Sequence, residues 1–298
     1  MYPFAILIGG PTASNKTELA FEIQSKLPSF IVNADSMQVY DKLKTLTNVP
    51  EKKNLTQHSC NLFEFINYPE KCNVGFWLDN VQNVLSTLKN RTPIFVGGTG
   101  MYLDSLLGNI SPIPKISERI KLKVERLHKK LGNLYFYNKL KKIDENYSKI
   151  ISCNDTQRLV RAISIKVATG RNISYWHDKQ SKKLFNKILY VVIENDREKL
   201  YENINKRCLK ILQSNVIEEV SVFLKQKSKI NHPLHKSIGL NVLEKHINGT
   251  YTLKQTIDFF SQETRRYAKR QITWFKNKSK GSLKLNFNEA KKYLLKNF

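Results

Sequence analysis

The chain has 298 residues, 41% of them hydrophobic, which suffices for one large core or a core with an inserted domain. Fifty Lys and Arg residues stand against twenty-five Asp and Glu, a formal net charge of +25. The composition excludes collagen-like and low-complexity proteins. The charge leaves two interpretations open: a generally lysine-rich surface, or a polyanionic partner such as nucleic acid.

The cysteines and the N-terminus indicate the compartment. Cys60, Cys72, Cys153 and Cys208 form no C-x-x-C pair, and no histidine pair completes a zinc pattern, so we expect free thiols in a reducing environment. The apolar run at residues 4–8 is too short to span a bilayer and has no cleavage site. We expect a soluble, cytoplasmic protein, and nothing in the sequence demands more than a monomer.

Strand and helix patterns alternate in the first third of the chain. The short apolar runs at 4–8, 30–32 and 94–96 predict buried strands. Apolar residues at helical spacing predict a helix that ends at Pro28 and another over 77–88. This alternation predicts the α/β class, with a parallel sheet flanked by helices whose ligands bind beyond the carboxyl ends of the strands.

Strand signals disappear after about residue 115. Charged helical segments replace them at 116–131 and 155–169, the second with an N-cap in Asp155 and a closing glycine in Gly170. We therefore predict an all-helical insertion domain.

The core resumes with a strand at 188–193, followed by long helices at about 198–213 and 252–275. The basic segment after Lys276 is expected to be peripheral. The predicted boundaries are 1–114 and 184–298 for the core and 115–183 for the insertion domain.

A phosphate-binding loop follows the first strand, made of Gly10, Pro11, Thr12, Ala13, Ser14, Asn15, Lys16 and Thr17. It matches G-x-x-x-x-G-K-[ST] except at Asn15, which replaces the second glycine. The backbone N–H groups of such a loop bind phosphate oxygens, Lys16 adds a charge, and the Thr17 hydroxyl is placed to ligate Mg²⁺. Asparagine is the non-glycine residue that best tolerates a left-handed backbone, which leaves some strain or reduced affinity open.

A P-loop alone predicts a kinase or NTPase, which also needs acids for Mg²⁺. Only Asp35, after the second strand, resembles the acidic end of a Walker B strand, since the third strand leads into Gly97-Gly98-Thr99. Asp35 is therefore a candidate metal-shell residue or a base near the phosphate, with a helix cap as the structural alternative. The hydroxyls of Thr12 and Thr99 are candidates for orienting phosphate or an amine.

Four motifs in register carry a resemblance: GPTASNKT at 10–17, DSMQVY at 35–40, VGGTGMY at 96–102 and YAKRQITWF at 267–275. Together they resemble the tRNA dimethylallyltransferase family, the isopentenyltransferases of the anticodon loop. The segment DTQRLVRA at 155–162 resembles the insertion domain of that family. The resemblance extends over nearly the whole chain, and it implies a P-loop NTPase-like fold.

The resemblance also implies an activity. It is the transfer of a dimethylallyl group from dimethylallyl diphosphate to N6 of the adenosine 3′ of the anticodon, in tRNAs that read codons starting with U. Mg²⁺ is the implied cofactor, and the P-loop would hold the diphosphate of the allylic substrate rather than ATP. Asp35 would be the general base, with Thr12 and Thr99 beside it.

Two sets of residues are expected to contact the anticodon stem-loop. The resemblance gives Asp35, Ser36, Met37, Gln38, Thr99, Lys121, Gln157, Arg158, Leu159, Val160 and Arg161. On the last long helix, Arg265 and Lys269 repel each other at i,i+4, as do Arg266 and Arg270, which favours an anionic partner. For Arg158 and Arg161, and for these cations, a solvated helix face is the alternative. Tyr267, Gln271 and Trp274 share one face, and for the two aromatic side chains we expect core packing.

One position departs from the family pattern. The family usually has Gly-Tyr-(Lys/Arg)-Glu near Gly239, and some members place an arginine three residues earlier to contact diphosphate. Here Lys236 keeps the charge but not the bidentate fork of arginine, and no acid follows Gly239. Lys236 remains a candidate for the diphosphate contact.

Two other functions stay open on the residues alone. One is a small-molecule P-loop kinase or an adenylate prenyltransferase. The other, suggested by Asn15 and Lys236, is a non-catalytic RNA-binding protein with a decayed P-loop.

Overall fold

The computed structural model describes residues 1–179, 181, 183–226 and 231–297. The chain divides into two compact units, the first made of Met1–Leu107 and Leu184–Phe298 and the second of Gly108–Lys183. The division falls before the predicted boundary at 115 because the irregular segment ahead of the first insertion helix packs with that helix. Ile116 is buried in the core of the second unit, and Ile113 packs against it.

The first unit is built on a parallel sheet. Its strands are β1 (Tyr2–Gly9), β2 (Ser29–Asn33), β3 (Cys60–Asn61), β4 (Thr92–Gly97), β5 (Phe185–Ile193) and β6 (Leu283–Leu285). Their order is β3-β2-β4-β1-β5-β6, and each neighbouring pair is parallel. The α/β class and the four predicted strands are confirmed.

Helices cover both faces of this sheet. The first helices of this unit are α1 (Lys16–Gln24), α2 (Lys52–Gln57), α3 (Val74–Thr87) and α4 (Gly100–Leu106). The chain then enters the second unit, which has α5 (Glu118–Ile143), α6 (Glu145–Ile150), α7 (Thr156–Thr169) and α8 (Ile173–His177). The first unit then continues with α9 (Arg197–Leu212), α10 (Val216–Gln226), a 3-10 helix (Pro233–Lys236), α11 (Leu240–Ile247), α12 (Leu253–Lys278) and α13 (Phe287–Asn297). None of the described helices is long and apolar enough to cross a membrane.

Alternate residues of the strands face two different cores. Ile6 and Ile8 of β1 pack with helices α1 and α13, whereas Ala5 and Leu7 pack with helices on the opposite face, such as α3 and α12. This follows from the period of two along a strand. Because both faces are covered, the strands are continuous apolar runs, which is why the sequence shows them clearly.

The C-terminal segment is not peripheral, so that prediction is wrong. Strand β6 pairs with β5, and α13 buries Ala290 and Leu294 completely. Among the lysines of α13, apolar residues recur at helical spacing and face α1, where they complete one core of the sheet.

The second unit has a helical core of its own. Phe136, Leu140, Leu159 and Ile163 are buried in it. Helix α5 is interrupted at Gly132, whose φ of 74° and ψ of 178° are non-helical, directly after the predicted helix end at residue 131.

Candidate active site

Three strands deliver their loops to the same edge of the sheet. In the parallel register, Gly9 of β1 lies beside Gly97 of β4, and Asn33 of β2 lies beside Val96. The P-loop, the Asp35 loop and the glycine loop at 98–99 follow these strands directly. Their carboxyl ends are where ligands of parallel sheets bind.

The P-loop keeps a tight curve without its second glycine. Asn15 has φ 61° and ψ 19°, the left-handed conformation, immediately before the first residue of α1. Its carbonyl oxygen accepts a hydrogen bond from the N–H of Leu19 at 3.0 Å, so helix α1 begins normally. Asparagine therefore takes over the conformation that a glycine would otherwise provide.

Lys16 lies inside this loop. Its Nζ donates to the carbonyl oxygen of Pro11 at 3.0 Å. Burial lowers the pKa of Lys16 to about 8, while the charge of Asp35 acts in the opposite direction and Arg207 lowers the pKa further. A phosphate in the loop would supply the counter-charge that the buried ammonium lacks.

Asp35 is held by its neighbours on β2. Asn33, fully buried, accepts from the N–H of Asp35 at 2.9 Å and donates to its carbonyl oxygen at 3.1 Å. Oδ1 of Asp35 accepts from the N–H of Met37 at 2.9 Å, so the carboxylate caps a turn rather than a helix. The described residues supply no hydrogen bond to Oδ2.

Thr99 stabilises the Asp35 loop from the neighbouring strand. Its hydroxyl accepts from the N–H of Ser36 at 2.9 Å and donates to the Ser36 hydroxyl at 3.1 Å. The side chain predicted to be catalytic thus has a structural task, which is to connect the loop after β4 to the loop after β2.

These loops border a cavity of about 280 Å³. Thr12, Lys16 and Thr17 line one side, and Asp35 lines another together with Ser36, Met37 and Gln38. Arg207, Lys236, Tyr267 and Arg270 also contribute to the polar lining. Among the described residues that line it, Asp35 is the only acid, so the cavity is strongly cationic.

Arg207 and Tyr267 come from the two helices that pack over the loops. Burial lowers the pKa of the Arg207 guanidinium, and the charge of Asp35 partly offsets this. Burial raises the pKa of Tyr267, and Asp35 adds to that effect. The guanidinium of Arg270 lies over the Tyr267 ring at 5.6 Å. Core packing is therefore the wrong interpretation for Tyr267, which borders the cavity.

Part of the cavity wall is apolar. Leu46, Ile211, Ile238 and Phe260 contribute to it. Leu46 belongs to a loop held by Glu219, whose two carboxylate oxygens accept from the N–H groups of Thr45 and Leu46 at 2.9 and 3.0 Å. The cavity can therefore hold an anionic group and a short hydrocarbon together.

Gln38 also holds the loop that contains Leu46. Its Nε2 donates to the carbonyl oxygens of Thr47 and Asn48 at 3.0 and 2.9 Å. The amide nitrogen of this predicted tRNA contact is thus engaged within the protein.

The region around Gly239 explains part of the departure from the family pattern. Lys236 lies at the end of the 3-10 helix, exposed, yet lines the cavity. The N–H of Gly239 donates to Oε2 of Glu263 at 3.0 Å. A carboxylate does reach Gly239, but it comes from α12 rather than from the residues that follow.

The cations of α12 that are predicted to contact RNA have different surroundings. Arg270 lines the cavity, whereas Arg265 donates to Oδ1 of Asn205 at 2.8 Å and lies over the ring of Tyr201. Lys269 is exposed.

In the second unit, Gln157, Arg158 and Arg161 are exposed on α7. Arg158 pairs with Asp155 at 3.1 Å, and Lys121 pairs with Glu118 at 2.6 Å. Two predicted contacts of α7 differ from these. Val160 is half-buried, and Leu159 is completely buried, so the side chain of Leu159 cannot contact RNA.

Sequence reasoning missed Arg207 and the hydrogen bonds of Gln271. Arg207 lies three residues after Ile204 and four before Ile211, both buried, so it is a charge on the buried flank of a helix. That spacing is a usable signal. Gln271 accepts from the N–H of Thr12 and donates to the carbonyl oxygen of Gly98, contacts that depend on where α12 packs.

A P-loop on a parallel sheet, with a carboxylate on the adjacent loop and cations around one cavity, defines a phosphate-binding α/β enzyme. A model of the IPP transferase family matches residues 38–278. The chain belongs to this family, which confirms the resemblance seen in its motifs.

Relatives and solved structures agree with this. The tRNA dimethylallyltransferase of Pelagibacter ubique (strain HTCC1062) is 40% identical over 290 residues, covering 94% of this chain and 91% of the relative. That of Rickettsia conorii is 32% identical over 292 residues, covering 97% and 80%. A tRNA delta(2)-isopentenylpyrophosphate transferase structure from Staphylococcus epidermidis has a TM-score of 0.68 at 28% identity, covering 99% and 98%.

The fold is also found in a eukaryotic dimethylallyltransferase described as acting on tRNA. Its structure has a TM-score of 0.81 over 96% of this chain and 74% of its own, at 21% identity. At that identity the likeness shows the fold alone.

Proposed function

We propose that this chain transfers a dimethylallyl group from dimethylallyl diphosphate to N6 of an adenosine in tRNA, 3′ of the anticodon in tRNAs that read codons starting with U. The observation that carries the proposal is the cavity in which P-loop donors, several cations, an apolar wall and one carboxylate meet. The names of its relatives supply the substrate class.

The P-loop and the cations would bind the leaving group. Negative charge grows on the diphosphate as the C–O bond breaks, and backbone N–H groups, Lys16 and Arg207 lie where they can stabilise it. Lys236 and Arg270 border the same cavity and add to the positive field. Donors that are already in place need little reorganisation during the reaction.

Mg²⁺ fits the donors that are present. The Thr17 hydroxyl borders the cavity, and oxygen donors are those that Mg²⁺ prefers. No group of three or more His, Cys, Asp or Glu residues occurs in the described part of the chain, which suits an ion held mainly by substrate oxygens and water. When bound, the ion would neutralise diphosphate charge.

Asp35 would act on the nucleophile. The exocyclic amine of adenine is a weak nucleophile, so a carboxylate that takes its proton assists the attack. The N6–C bond forms, the C–O bond to diphosphate breaks, and the proton passes to Asp35. The apolar wall would hold the five-carbon chain and keep water from the reacting carbon.

The adenosine has to leave its stack to reach such a cavity. Extrusion is least costly for an unpaired loop base. The exposed Gln157, Arg158 and Arg161 of the helical unit would bind the anticodon stem-loop, which makes this unit the proposed RNA-gripping domain. The proposal is for a monomer that acts on cytoplasmic tRNA.

The test is incubation of the protein with an anticodon stem-loop RNA, dimethylallyl diphosphate and Mg²⁺, followed by mass spectrometry of the digested nucleosides. We expect N6-dimethylallyladenosine from RNA whose anticodon is followed by adenosine, and none when that residue is guanosine. Transfer to free AMP alone would instead indicate an adenylate prenyltransferase. RNA binding without product at any Mg²⁺ concentration would leave a non-catalytic RNA-binding protein.

A further inference from the structure

Gln271 connects two of the three loops that form the cavity. It lies on α12 and is 5% exposed. Its Oε1 accepts from the N–H of Thr12 in the P-loop at 2.8 Å, and its Nε2 donates to the carbonyl oxygen of Gly98 at 2.9 Å. Both ends of one amide are therefore used, in opposite directions, by loops from different strands.

The Gly98 loop is itself hydrogen-bonded to the loop that carries the proposed base, Asp35. Thr99 follows Gly98, and its hydroxyl binds the backbone and side chain of Ser36, next to Asp35. A series of hydrogen bonds thus runs from the P-loop through Gln271 and Thr99 to the Asp35 loop. Its two ends are the groups proposed to bind the diphosphate and to take the proton.

The contact at Gly98 is tight. A Cβ added at this position would collide with Nε2 of Gln271, while its next neighbour, Oδ2 of Asp35, would be 3.5 Å away. The missing side chain is what lets the amide reach the Gly98 carbonyl. The hydrogen bond of Gln271 therefore depends on a glycine at position 98.

We propose that Gln271 is a positioning residue that fixes the spacing between the diphosphate loop and Asp35. This inference rests on the proposed function and adds a residue to its machinery. Core packing alone would need only the volume of the side chain. The structure instead uses both polar atoms of a buried amide, and leaving either loop group unpaired carries a penalty.

The first experiment replaces Gln271 by isosteres. Gln271→Met keeps the volume and removes both hydrogen bonds, whereas Gln271→Glu keeps the acceptor for Thr12 and removes the donor to Gly98. Gln262→Met, at an exposed position of the same helix, is the matched control. We expect kcat per folded molecule to fall roughly 10- to 100-fold in both Gln271 variants, since small misplacements of reacting groups cost that much.

The same variants separate positioning from stability. RNA affinity should stay within about twofold, because Gln271 contacts two loops of the phosphate site rather than the helical unit. The affinity for inorganic diphosphate, measured by calorimetry, should fall in Gln271→Met and stay at the wild-type value in Gln262→Met. Unchanged kcat and unchanged diphosphate affinity in a folded Gln271→Met protein would overturn the proposal.

Gly98 provides a second, independent test. Gly98→Ala should lower kcat by displacing the Gln271 amide. In the Gln271→Ala background the added methyl group has room, so Gly98→Ala should cause little further loss. Fully additive losses in the double variant would contradict the pairing.

Failure of the proposed function has a different signature. If wild-type protein makes no prenylated adenosine, the proposed reaction is wrong. The diphosphate affinities of wild type, Gln271→Met and Gln262→Met would still decide whether Gln271 positions the phosphate loop.

Discussion

The two carboxylate oxygens of Asp35 have different surroundings. Oδ1 caps the turn at Met37, and Oδ2 lies on the side of the Gly98 loop. The motif in the sequence identifies Asp35 as a candidate base. It does not show that Thr99 holds the loop, because that hydrogen bond joins segments that follow two different strands.

Replacing Asp35 tests its role directly. Asp35→Asn keeps the turn, because the amide oxygen still accepts from Met37, but it removes the proton acceptor. We expect prenyl transfer to fall by roughly 100-fold or more, with RNA affinity nearly intact in a filter-binding assay. A large loss of RNA binding with a modest change in rate would contradict its assignment as base.

Lys16 makes the reaction sensitive to alkaline pH. Its pKa of about 8 in the free protein means that the ammonium charge is present below pH 8 and lost above it. We expect kcat/KM for dimethylallyl diphosphate to fall as the pH rises through 8, since this parameter reports the free enzyme. Lys16→Arg should lack this decline, and a flat wild-type profile between about pH 7 and 9.5 would exclude the effect.

The hydrogen bonds of Gln271 and the place of Arg207 in the cavity wall could not be assigned from the sequence. Gln271 and Arg207 act through the packing of α12 and α9 over the loops, and a single sequence does not show which helix lies there. Asn15 is the opposite case, because its tolerance of the left-handed region is a local property.

At the scale of elements, prediction succeeded where a strand is buried on both faces of the sheet. Strands β1, β4 and β5 are buried on both faces and show as apolar runs. Strand β3 has only two residues and β6 is mostly exposed, so neither shows as an apolar run. Helix α13 was misjudged because the segment after Lys276 was judged by its basic residues, although Ala290 and Leu294 are buried.

The loop at 43–48 depends on helix α10. Glu219→Gln would place an amide N–H against one of the two backbone N–H groups that its carboxylate now accepts. Hydrogen bonds to a charged group contribute about 1.5–3 kcal/mol each. We expect KM for dimethylallyl diphosphate to rise roughly tenfold, because Leu46 lies in the cavity wall.

Steady-state kinetics with both substrates would measure this. Glu218→Gln, an exposed neighbour on the same helix, serves as the control and should behave like wild type. Equal effects of the two substitutions would mean that the loop does not depend on Glu219.

At the scale of the whole molecule, we propose that the two units have separable tasks. The cavity is lined by residues of the first unit only. Arg158 and Arg161 lie exposed in the second unit, where Arg158 is already paired with Asp155. Substitutions there should affect RNA binding and leave the binding of dimethylallyl diphosphate unchanged.

We therefore predict that the double variant Arg158→Gln, Arg161→Gln binds RNA more weakly than the wild type at low salt. The slope of log Kd against log salt should decrease by about 1 for each RNA phosphate that the variant no longer neutralises. Lys149→Gln is the control, since Lys149 is an exposed cation of the same unit with its own acidic partner at 2.8 Å. An unchanged salt slope would indicate that the two arginines only cover a solvated face.

The central claim is tested most directly in cells that lack this protein. We predict that adenosine 3′ of the anticodon is dimethylallylated at N6 in the parent strain, unmodified without the protein, restored by the wild-type chain and not restored by Asp35→Asn. Persistence of the modification in cells without the protein, or full restoration by Asp35→Asn, would contradict the account.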